Sequence, residues 1–336
     1  MAQTVLVTGG AGYIGSVLVP KLVAAGKTVK VIDRLYWGTD SISSVADSIE
    51  IIEGDVRNIP DAALDGVDAI IHLAGLSNDP TADFAPEANW QMNAIASQAL
   101  AKKCLENGIK RLVFGSTCSI YDGLPSGVIY DETAEVNPRG AYATSKAFAE
   151  KALLEASEQG LETVILRQGT VYGPSLRLRY DLVVQTMLKD ALSKRQLQLH
   201  GGGYIYRPMV DIRDTTTAFM LCAEAPAENV QGQIFNVVHL NYQVRELAQE
   251  VQQVLKKRGV EVELVDAPAP DLVRDYRCSN EKLTNAIGFT PGVSVGESVE
   301  DLMQFVETHH MDDFDNDRYY NIRWLTPMKD QLTSFS

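Results

Sequence analysis

The stretch "VTGGAGYIG", residues 7–15, decides the fold of this chain. It lies between a short β-branched run and a segment, Tyr13 to Ala25, whose composition predicts a helix. Gly9 permits a tight turn, Gly12 lets the backbone approach a pyrophosphate, and Gly15 lets the helix pack closely on the strand. Three glycines alone could form only a tight turn, but here the strand–turn–helix context that a phosphate-binding loop requires is present. The sequence therefore predicts a dinucleotide-binding loop.

The strands that follow this loop are apolar without alternation, which is typical of strands covered on both faces of a parallel sheet. They are "TVKVID", "IEIIEGD", "DAIIHLA", "RLVFGS" and "ETVILRQ". They alternate with helical segments, including a long one predicted over residues 85–107, so we predict an α/β fold with a doubly wound parallel sheet, Rossmann-like. We assign residues 1–175 to a dinucleotide-binding domain, to which residues 207–239 return. Residues 176–206 and 240–336 form a smaller, mainly C-terminal α/β lobe for the substrate.

Bulk composition limits the partners of this 336-residue chain. A net charge of −14 argues against nucleic acid and anionic membranes, which need a basic surface. No apolar run approaches the ~18 residues needed to span a bilayer. The four cysteines are scattered without metal-ligand spacing, so we expect reduced thiols and no metal site. The N-terminal residues do not resemble a signal peptide, and we expect a cytoplasmic protein.

An acidic residue at the end of the second strand points to the cofactor. Asp33 follows the glycine loop at about the ~20-residue offset of a ribose-binding acid. Its carboxylate would accept from a 2′-hydroxyl and repel a 2′-phosphate, which favours NAD over NADP. Arg34 could instead accommodate that phosphate. Asp55 and Val56, at the end of the third strand, could border the adenine or could simply end the strand.

A tyrosine and a lysine four residues apart are candidate catalytic residues. In "YATSK", Tyr142 and Lys146 lie on one face of a predicted helix. A phenol, with a pKa near ~10, is a poor base at neutral pH. A nearby ammonium and the positive nicotinamide ring both favour the phenolate, and Lys146 could also bond the nicotinamide ribose. An ordinary exposed helix face would show the same spacing, but beside a dinucleotide loop we favour the catalytic interpretation.

Several further motifs, taken in order, resemble the extended short-chain dehydrogenase/reductases, specifically the NAD-dependent nucleotide-sugar epimerase/dehydratase group. They are "TGGAGYIG" (8–15), "HLAG" (72–75), "STCSIYDG" (116–123), "YATSK" (142–146), "LRQGTVYGP" (166–174), "RPMVDIRD" (207–214) and "DYRCSNEKLTNAIGF" (275–289). The likeness runs to about Val306. The resemblance implies that Thr117 bonds the reacting sugar oxygen and that Tyr142 is the acid/base with Lys146 as its partner. It implies an NAD site formed by Gly9, Gly12, Tyr13, Ile14, Gly15, Asp33, Asp55, Val56, Leu73, Ala74, Tyr142 and Lys146.

The resemblance also implies a nucleotide-diphosphate sugar as substrate. Arg207 would grip the diphosphate, a role that suits a guanidinium. Thr170 stands where many members carry an asparagine that contacts the diphosphate, and Arg274 would lie near the nucleotide. Asn93 matches a position near the active site. The resemblance further suggests a homodimer packed through the long helix and the Tyr142 helix.

The residues after Thr117 bear on the reaction. Relatives that remove water carry Asp-Glu after this threonine, and relatives that decarboxylate tend to carry Glu where Ser119 stands. Ser119 is no base at neutral pH, and Cys118 is at best a weak acid with a pKa near ~8.5. We therefore predict 4-epimerisation through a transient 4-keto sugar with tightly bound NAD. Dehydration with Cys118 as an acid, 4-keto reduction, and a non-catalytic dinucleotide-binding sensor or scaffold stay open as alternatives. The sensor would be expected to lose Tyr142 or Lys146.

Overall fold

The computed structural model describes residues 3–269 and 274–334. Within these residues the strands are β1 (Thr4–Thr8), β2 (Thr28–Asp33), β3 (Ile49–Glu53), β4 (Ala69–His72), β5 (Arg111–Thr117), β6 (Ile129–Tyr130), β7 (Glu162–Gln168), β8 (Thr170–Tyr172), β9 (Gln196–His200), β10 (Tyr206–Asp211), β11 (Gln233–Val237), β12 (Leu240–Gln243), β13 (Glu263–Ala267) and β14 (Arg277–Cys278). Residues 270–273 and 335–336, which belong to the predicted substrate lobe, lie outside the described part of the chain.

Helices follow most of these strands. They are α1 (Gly15–Ala24), α2 (Asp79–Phe84), α3 (Pro86–Asn89), α4 (Ala96–Glu106), α5 (Ala141–Glu158), α6 (Val183–Lys194), α7 (Ile212–Glu224), α8 (Ala227–Val230), α9 (Val244–Lys257), α10 (Glu281–Ile287), α11 (Val295–Thr308), α12 (Asn321–Leu325) and α13 (Lys329–Thr333). Short 3-10 segments cover Asp40–Ser48, Val56–Asn58, Asp61–Leu64, Cys118–Tyr121, Gly201–Gly203, Asp317–Tyr319 and Thr326–Met328. No described helix is long and apolar enough to cross a membrane.

The large sheet has the strand order β3-β2-β1-β4-β5-β7-β11, and all its pairs are parallel. The predicted doubly wound, Rossmann-like sheet is confirmed. Along β1, Leu6 packs into the core on one face of the sheet, whereas Val5 and Val7 pack into the core on the other face. Successive strand residues point to opposite faces, so burial on both sides requires an unbroken apolar run. This explains why the strand sequences do not alternate.

The strand order reverses at β1, because β2 and β4 flank it on opposite sides. In open α/β sheets the crevice for a ligand forms at the carboxyl ends of the strands at such a switch point. The glycine loop follows β1, and the segment beginning at Leu73 follows β4. The fold therefore places the predicted dinucleotide loop beside this crevice.

The long helix predicted over residues 85–107 is interrupted in the structure. A π-helical segment, Trp90–Ile95, separates α3 from α4. This segment carries Asn93, which is fully buried and exchanges two hydrogen bonds with the Leu76 backbone at 2.9 and 2.8 Å. π-helical turns occur frequently at functional sites. Here the turn ties the helix to the loop that follows β4.

A second, smaller core lies away from the large sheet. Strand β9 pairs with β13, and β10 pairs with both β8 and β12. Helices α6, α9 and α11 bury their apolar faces together there, with Leu188, Leu247 and Leu302 each at most 1% exposed. This part of the chain meets the large sheet near the crevice through β8, which follows β7 directly.

Candidate active site

The glycine loop makes close backbone contacts that a side chain would block. Gly9 has φ +72°, and a Cβ built there would lie 2.8 Å from the backbone nitrogen of Ala74. A Cβ on Gly15 would collide with the carbonyl of Gly9. The loop therefore runs tightly between β1, β4 and the start of α1, where backbone N–H groups and the helix dipole favour an anion. This cradle fits the pyrophosphate of a dinucleotide.

A groove with a cavity volume of about 200 Å³ passes over this loop. Ten residues predicted to bind NAD line it, namely Gly9, Gly12, Tyr13, Ile14, Gly15, Asp33, Asp55, Val56, Leu73 and Ala74. The lining also includes residues that the sequence reasoning missed: Tyr36, Trp37, Arg177, Arg179, Asn321 and Leu325. The two arginines stand in "LRLR" (176–179), one residue after the Gly-Pro that ends the motif "LRQGTVYGP", and this position could have indicated them.

The Asp33 carboxylate is oriented by backbone donors at the edge of the groove. It accepts from the N–H of Ala11 at 3.0 Å and from the N–H of Leu35 at 2.8 Å. Burial raises the pKa of Asp33. Arg34 donates to Asp55 at 2.7 Å, so the arginine that could have received a 2′-phosphate is held by a carboxylate.

Asp55 is itself engaged in ion pairs. Its carboxylate caps the 3-10 turn by accepting from the N–H of Arg57, and the guanidinium of Arg57 lies 2.5 Å from it. Burial opposes ionisation, but the Arg57 hydrogen bonds outweigh it and lower the pKa of Asp55. Asp55 therefore sits at the groove as a charged, tightly bonded group.

Thr117, Tyr142 and Lys146 come together where β5 meets α5. Thr117 ends β5, Tyr142 lies in the first turn of α5, and the Thr117 hydroxyl is close enough to lower the pKa of Tyr142. The Lys146 ammonium donates to the carbonyl of Gly115 at 2.9 Å. A Cβ on Gly115 would lie 3.2 Å from Leu73, a residue of the groove lining. None of the three, including the predicted NAD contacts Tyr142 and Lys146, lines the groove itself; Gly115 connects them to it through Leu73.

Burial dominates the ionisation of both helix residues. It lowers the pKa of Lys146 to about 8, although the Glu150 carboxylate opposes the shift. Burial and the Asp79 carboxylate raise the pKa of Tyr142 to about 12, while Arg179 and the Thr117 hydrogen bond lower it. The prediction from the sequence counted the Lys146 ammonium and the oxidised nicotinamide ring, but not the desolvation and the Asp79 carboxylate that raise the pKa.

The three residues at the end of β5 have different surroundings. Thr117 accepts from the N–H of Ser119 at 3.1 Å, and the Ser119 hydroxyl lies 3.4 Å from that of Tyr276. Cys118 is 1% exposed, and its thiol donates to the carbonyl of Arg167 at 3.2 Å. Burial raises the pKa of Cys118 well above its ordinary value. The thiol is therefore a neutral, packed group beneath Thr117, unsuited to proton transfer at neutral pH.

Two carboxylates at Arg274, of which Asp79 also acts on Tyr142, were not foreseen from the sequence. The guanidinium of Arg274 contacts the Asp79 carboxylate and lies 3.3 Å from that of Asp122. The Arg207 guanidinium donates to the carbonyl of Arg274. Burial raises the pKa of Asp122 and lowers that of Arg207. The structure thus gathers two arginines that were expected to bind substrate with two acids between them.

Thr170 lies next to this cluster through the sheet. It is a partly buried residue of β8 and pairs with Met209 of β10, the strand that carries Arg207. Asn93 does not face the cluster with a free amide, because its side chain is bonded to Leu76 and Asn89. Among the described residues no group of three or more His, Cys, Asp or Glu side chains could hold a metal ion.

A comparison with family models and known proteins identifies the family. The model of the NAD dependent epimerase/dehydratase family matches residues 5–237. The chain belongs to this family. NAD is accordingly its cofactor, and the glycine cradle and Asp33 fit that group. The chain is 25% identical over 320 residues to a dTDP-glucose 4,6-dehydratase of Streptomyces niveus, covering 90% of this chain and 92% of the relative.

Other members of the NAD dependent epimerase/dehydratase family are equally similar. A UDP-glucose 4-epimerase of Halalkalibacterium halodurans is 28% identical over 311 residues, covering 86% of this chain and 91% of the relative. The crystal structure of a UDP-glucose 4-epimerase with UDP-glucose, from Thermotoga maritima, superposes with a TM-score of 0.81 at 24% identity, covering 92% of this chain and 100% of that one. At 24% identity, the likeness to this crystal structure shows that the two proteins share a fold. Since relatives are named for two different reactions, family membership alone does not distinguish them.

Proposed function

We propose that the protein interconverts a nucleotide-diphosphate sugar and its 4-epimer, through a 4-keto sugar and with NAD held throughout. The observation that supports this proposal is that Thr117 lies close to Tyr142 where β5 meets α5, with Lys146 one helical turn further on and bonded to Gly115. A second supporting observation is the absence of a carboxylate directly after Thr117, where Cys118 is a buried neutral thiol and Ser119 a hydroxyl.

Tyr142 acts as the acid/base in this proposal. Its phenolic oxygen takes the proton of the C4 hydroxyl while Thr117 hydrogen-bonds the same sugar oxygen, and it returns the proton when the opposite face is reduced. Bound NAD supplies the hydride acceptor and donor, and its oxidised ring carries a positive charge that favours the phenolate. Lys146 is mostly protonated at neutral pH, since its pKa is about 8. Its ammonium, held on the Gly115 carbonyl, supplies further positive charge near Tyr142.

The substrate diphosphate is proposed to bind at the arginine pair. Arg207 and Arg274 present guanidinium groups, which bond phosphate oxygens well. Thr170, on the strand next to β10, and Ser119, whose hydroxyl lies 3.4 Å from that of Tyr276, are the proposed hydroxyl donors. The sugar then lies between this cluster and Tyr142, and the 176–206 and 240–336 segments form most of the proposed substrate lobe.

Dehydration is the second candidate, and the Asp79–Asp122 pair is the observation in its favour. Elimination needs an acid for the leaving hydroxyl and a base for the C5 proton. These two carboxylates could serve, but Arg274 is bonded to both and occupies oxygens that would have to exchange protons with the sugar. Epimerisation therefore remains the better supported reaction.

A mass-spectrometric screen of UDP-, dTDP- and GDP-sugars tests the proposal. Epimerisation yields a product of unchanged mass that chromatography separates from its substrate. Loss of water from every accepted sugar would contradict epimerisation and support the second candidate. Copurified NAD, measured by its absorbance after protein denaturation, serves as the control that the preparation is loaded.

We also propose a homodimer that packs through α4, α5 and the π-helical segment between α3 and α4. On this side the half-buried rings of Trp90 and Phe148 lie 5.1 Å apart, and the Ile95 side chain is exposed. Light scattering on the size-exclusion peak should give twice the chain mass. An Ile95→Asp variant should shift the mass toward the monomer, whereas Lys110→Asp, outside these helices, should not.

A further inference from the structure

We propose that the C-terminal segment 317–334, here called the strap, forms the outer wall of the NAD site and keeps the cofactor from dissociating. Asn321 and Leu325 of the strap line the groove together with the glycine loop. This inference concerns NAD retention and does not depend on which sugar reaction the protein catalyses.

The strap is bonded to the lip of the groove that follows β2. The indole N–H of Trp37 donates to the carbonyl of Arg318 at 3.1 Å, and the Arg318 guanidinium donates to the carbonyl of Trp37 at 2.9 Å. The indole N–H of Trp324 donates to the carbonyl of Tyr36 at 2.7 Å. Tyr36 and Trp37 both line the groove. The strap is therefore attached at the side where Asp33 would meet the adenosine ribose.

The end of the strap is held by arginines near the ends of β2 and β3. Arg57 donates to the carbonyl of Leu332 at 2.8 Å, and Arg34 donates to that of Gln331 at 3.4 Å. The same two arginines are paired with Asp55. The ionic cluster of Asp55, Arg34 and Arg57 thus links the part of the groove proposed for the adenosine to the strap.

A further set of contacts holds the strap through Asn321. Its amide oxygen accepts from Arg177 at 2.5 Å, and its backbone N–H donates to Asp181 at 3.3 Å. The Arg177 guanidinium also lies 3.8 Å from the centre of the Trp37 ring. Arg177 therefore joins the strap, through Asn321, to Trp37 of the groove lining.

Arg177 points to an anionic ligand in the groove. It is 5% exposed, and its hydrogen bonds go to two neutral oxygens, the carbonyl of Leu178 at 3.1 Å and the amide of Asn321. In the described part of the chain no carboxylate lies at ion-pair distance from it, although Arg179 beside it is paired with Asp181. Burial lowers the pKa of Arg177 and outweighs Asp181 and Asp33, which favour its charged form from beyond that distance. The phosphates of the dinucleotide supply the missing negative charge.

Apolar packing fixes the strap in place. Leu325 is 1% exposed and Leu332 is fully buried, and both belong to the core that also contains Leu76 and Met92. Burying a leucine contributes about 1.5–3 kcal/mol. Displacing the strap therefore means exposing two leucines as well as breaking the polar contacts, which predicts slow release of the cofactor.

The test measures how fast NAD leaves the purified holoprotein. Holoprotein is diluted into excess ADP-ribose, and released NAD is quantified over time with a coupled dehydrogenase. Trp324→Phe keeps the ring but removes the bond to Tyr36, and Asn321→Ala removes the partner of Arg177. We expect release to be at least about tenfold faster in the double variant, since each hydrogen bond lost changes an equilibrium by several-fold.

A matched control and a charge variant complete the experiment. Arg323→Gln alters a strap residue whose guanidinium contacts Tyr320 and Asp317 within the strap, and it should release NAD at the wild-type rate. Arg177→Met should release NAD faster because the phosphates lose a cation. Wild-type release from the folded double variant, checked by circular dichroism, would overturn the proposal. Sugar turnover in saturating NAD is measured separately, so its loss would bear on the reaction and not on the strap.

Discussion

Arg274 holds the Asp79 carboxylate beside the first turn of the helix that carries Tyr142. Asp79 is packed against Gly140, where a Cβ would collide with it. The contact joins two segments that are 195 residues apart in sequence. The Asp79 carboxylate places a negative charge near the Tyr142 phenol, and the Arg274 guanidinium compensates that charge. Asp79 and Arg274 together therefore influence the proton affinity of Tyr142.

Asp79→Asn is expected to shift the pH profile of turnover. The Asp79 charge contributes to raising the pKa of Tyr142 to about 12. Removing that charge lowers the phenol's pKa, so the rising limb of kcat against pH should move to lower pH. Asp122→Asn is the matched control, since Asp122 also pairs with Arg274 but does not contribute to the Tyr142 shift. Equal shifts of the pH profile in both variants would show that Arg274, and not the Asp79 charge, sets the pKa of Tyr142.

Tyr142→Phe is expected to reduce kcat by about 10²–10⁴-fold, the usual contribution of general acid–base catalysis. NAD content and thermal stability should stay near those of the wild type, because the ring is retained. Tyr204→Phe changes an exposed tyrosine and should leave kcat unaltered. Full turnover by Tyr142→Phe would rule out the assigned role.

Lys146→Met is expected to stabilise the fold at pH 7 while it abolishes turnover. Burial lowers the pKa of Lys146 from 10.5 to about 8, so the folded state binds its proton less tightly than the unfolded state. Carrying the charge below pH 8 therefore costs about 3 kcal/mol, and wild-type stability should rise as the pH increases from 8 to 10.5. The variant should lack that rise. Loss of the hydrogen bond to Gly115 should offset about 1 kcal/mol of the stability that the variant gains.

Urea unfolding at pH 7 and at pH 9.5 checks this expectation. The difference in unfolding free energy between the variant and the wild type should be positive at pH 7 and should shrink at pH 9.5. A variant that is less stable than the wild type at both values would mean that the buried ammonium is compensated by its surroundings.

His72 should make folding sensitive to acid. Its Nδ1 lies 2.7 Å from the Thr8 hydroxyl and its Nε2 lies 2.9 Å from that of Ser97. The Ser97 hydroxyl donates to the carbonyl of Asn93, so Nε2 carries the hydrogen and Nδ1 accepts from Thr8. Burial lowers the pKa of His72 to about 3. The unfolded state therefore binds the proton first, and stability is lost as the pH falls from 6.5 toward 3.

The measurement compares the wild type with His72→Gln at pH 6.5 and pH 5. The wild type should lose about 2 kcal/mol more of its unfolding free energy than the variant over this interval. Parallel losses in the two proteins would assign the acid sensitivity to the carboxylates.

Much of the fold follows from local sequence. The apolar runs of β1 to β5 and the glycines at positions 9, 12 and 15 predicted the parallel sheet and its ligand loop, because burial on both faces and close backbone approach leave few other residue choices. Asp79 and Arg177 were not predicted as site residues. Their roles depend on neighbours from distant segments, Arg274 and Asn321, which no spacing along the chain reveals.

The pKa of Tyr142 also depends on distant segments that the local sequence does not reveal. The four-residue spacing to Lys146 was visible in the sequence, but the extent of burial was not. Desolvation outweighs the cationic neighbours in the folded chain. Local pattern therefore identified the pair, whereas its proton affinity depends on how completely the surrounding segments enclose it.

Asp33→Ser should weaken NAD binding without creating an NADP site. The Asp33 carboxylate accepts from Ala11 and Leu35 at the groove edge, and a charged acceptor lost there should raise the Kd for NAD by about tenfold or more. NADP should still bind poorly, because Arg34 is 2.7 Å from Asp55 and is not available for a 2′-phosphate. Titration calorimetry of cofactor-stripped protein with both dinucleotides measures this. A preference for NADP in the single variant would show that Arg34 leaves Asp55 readily.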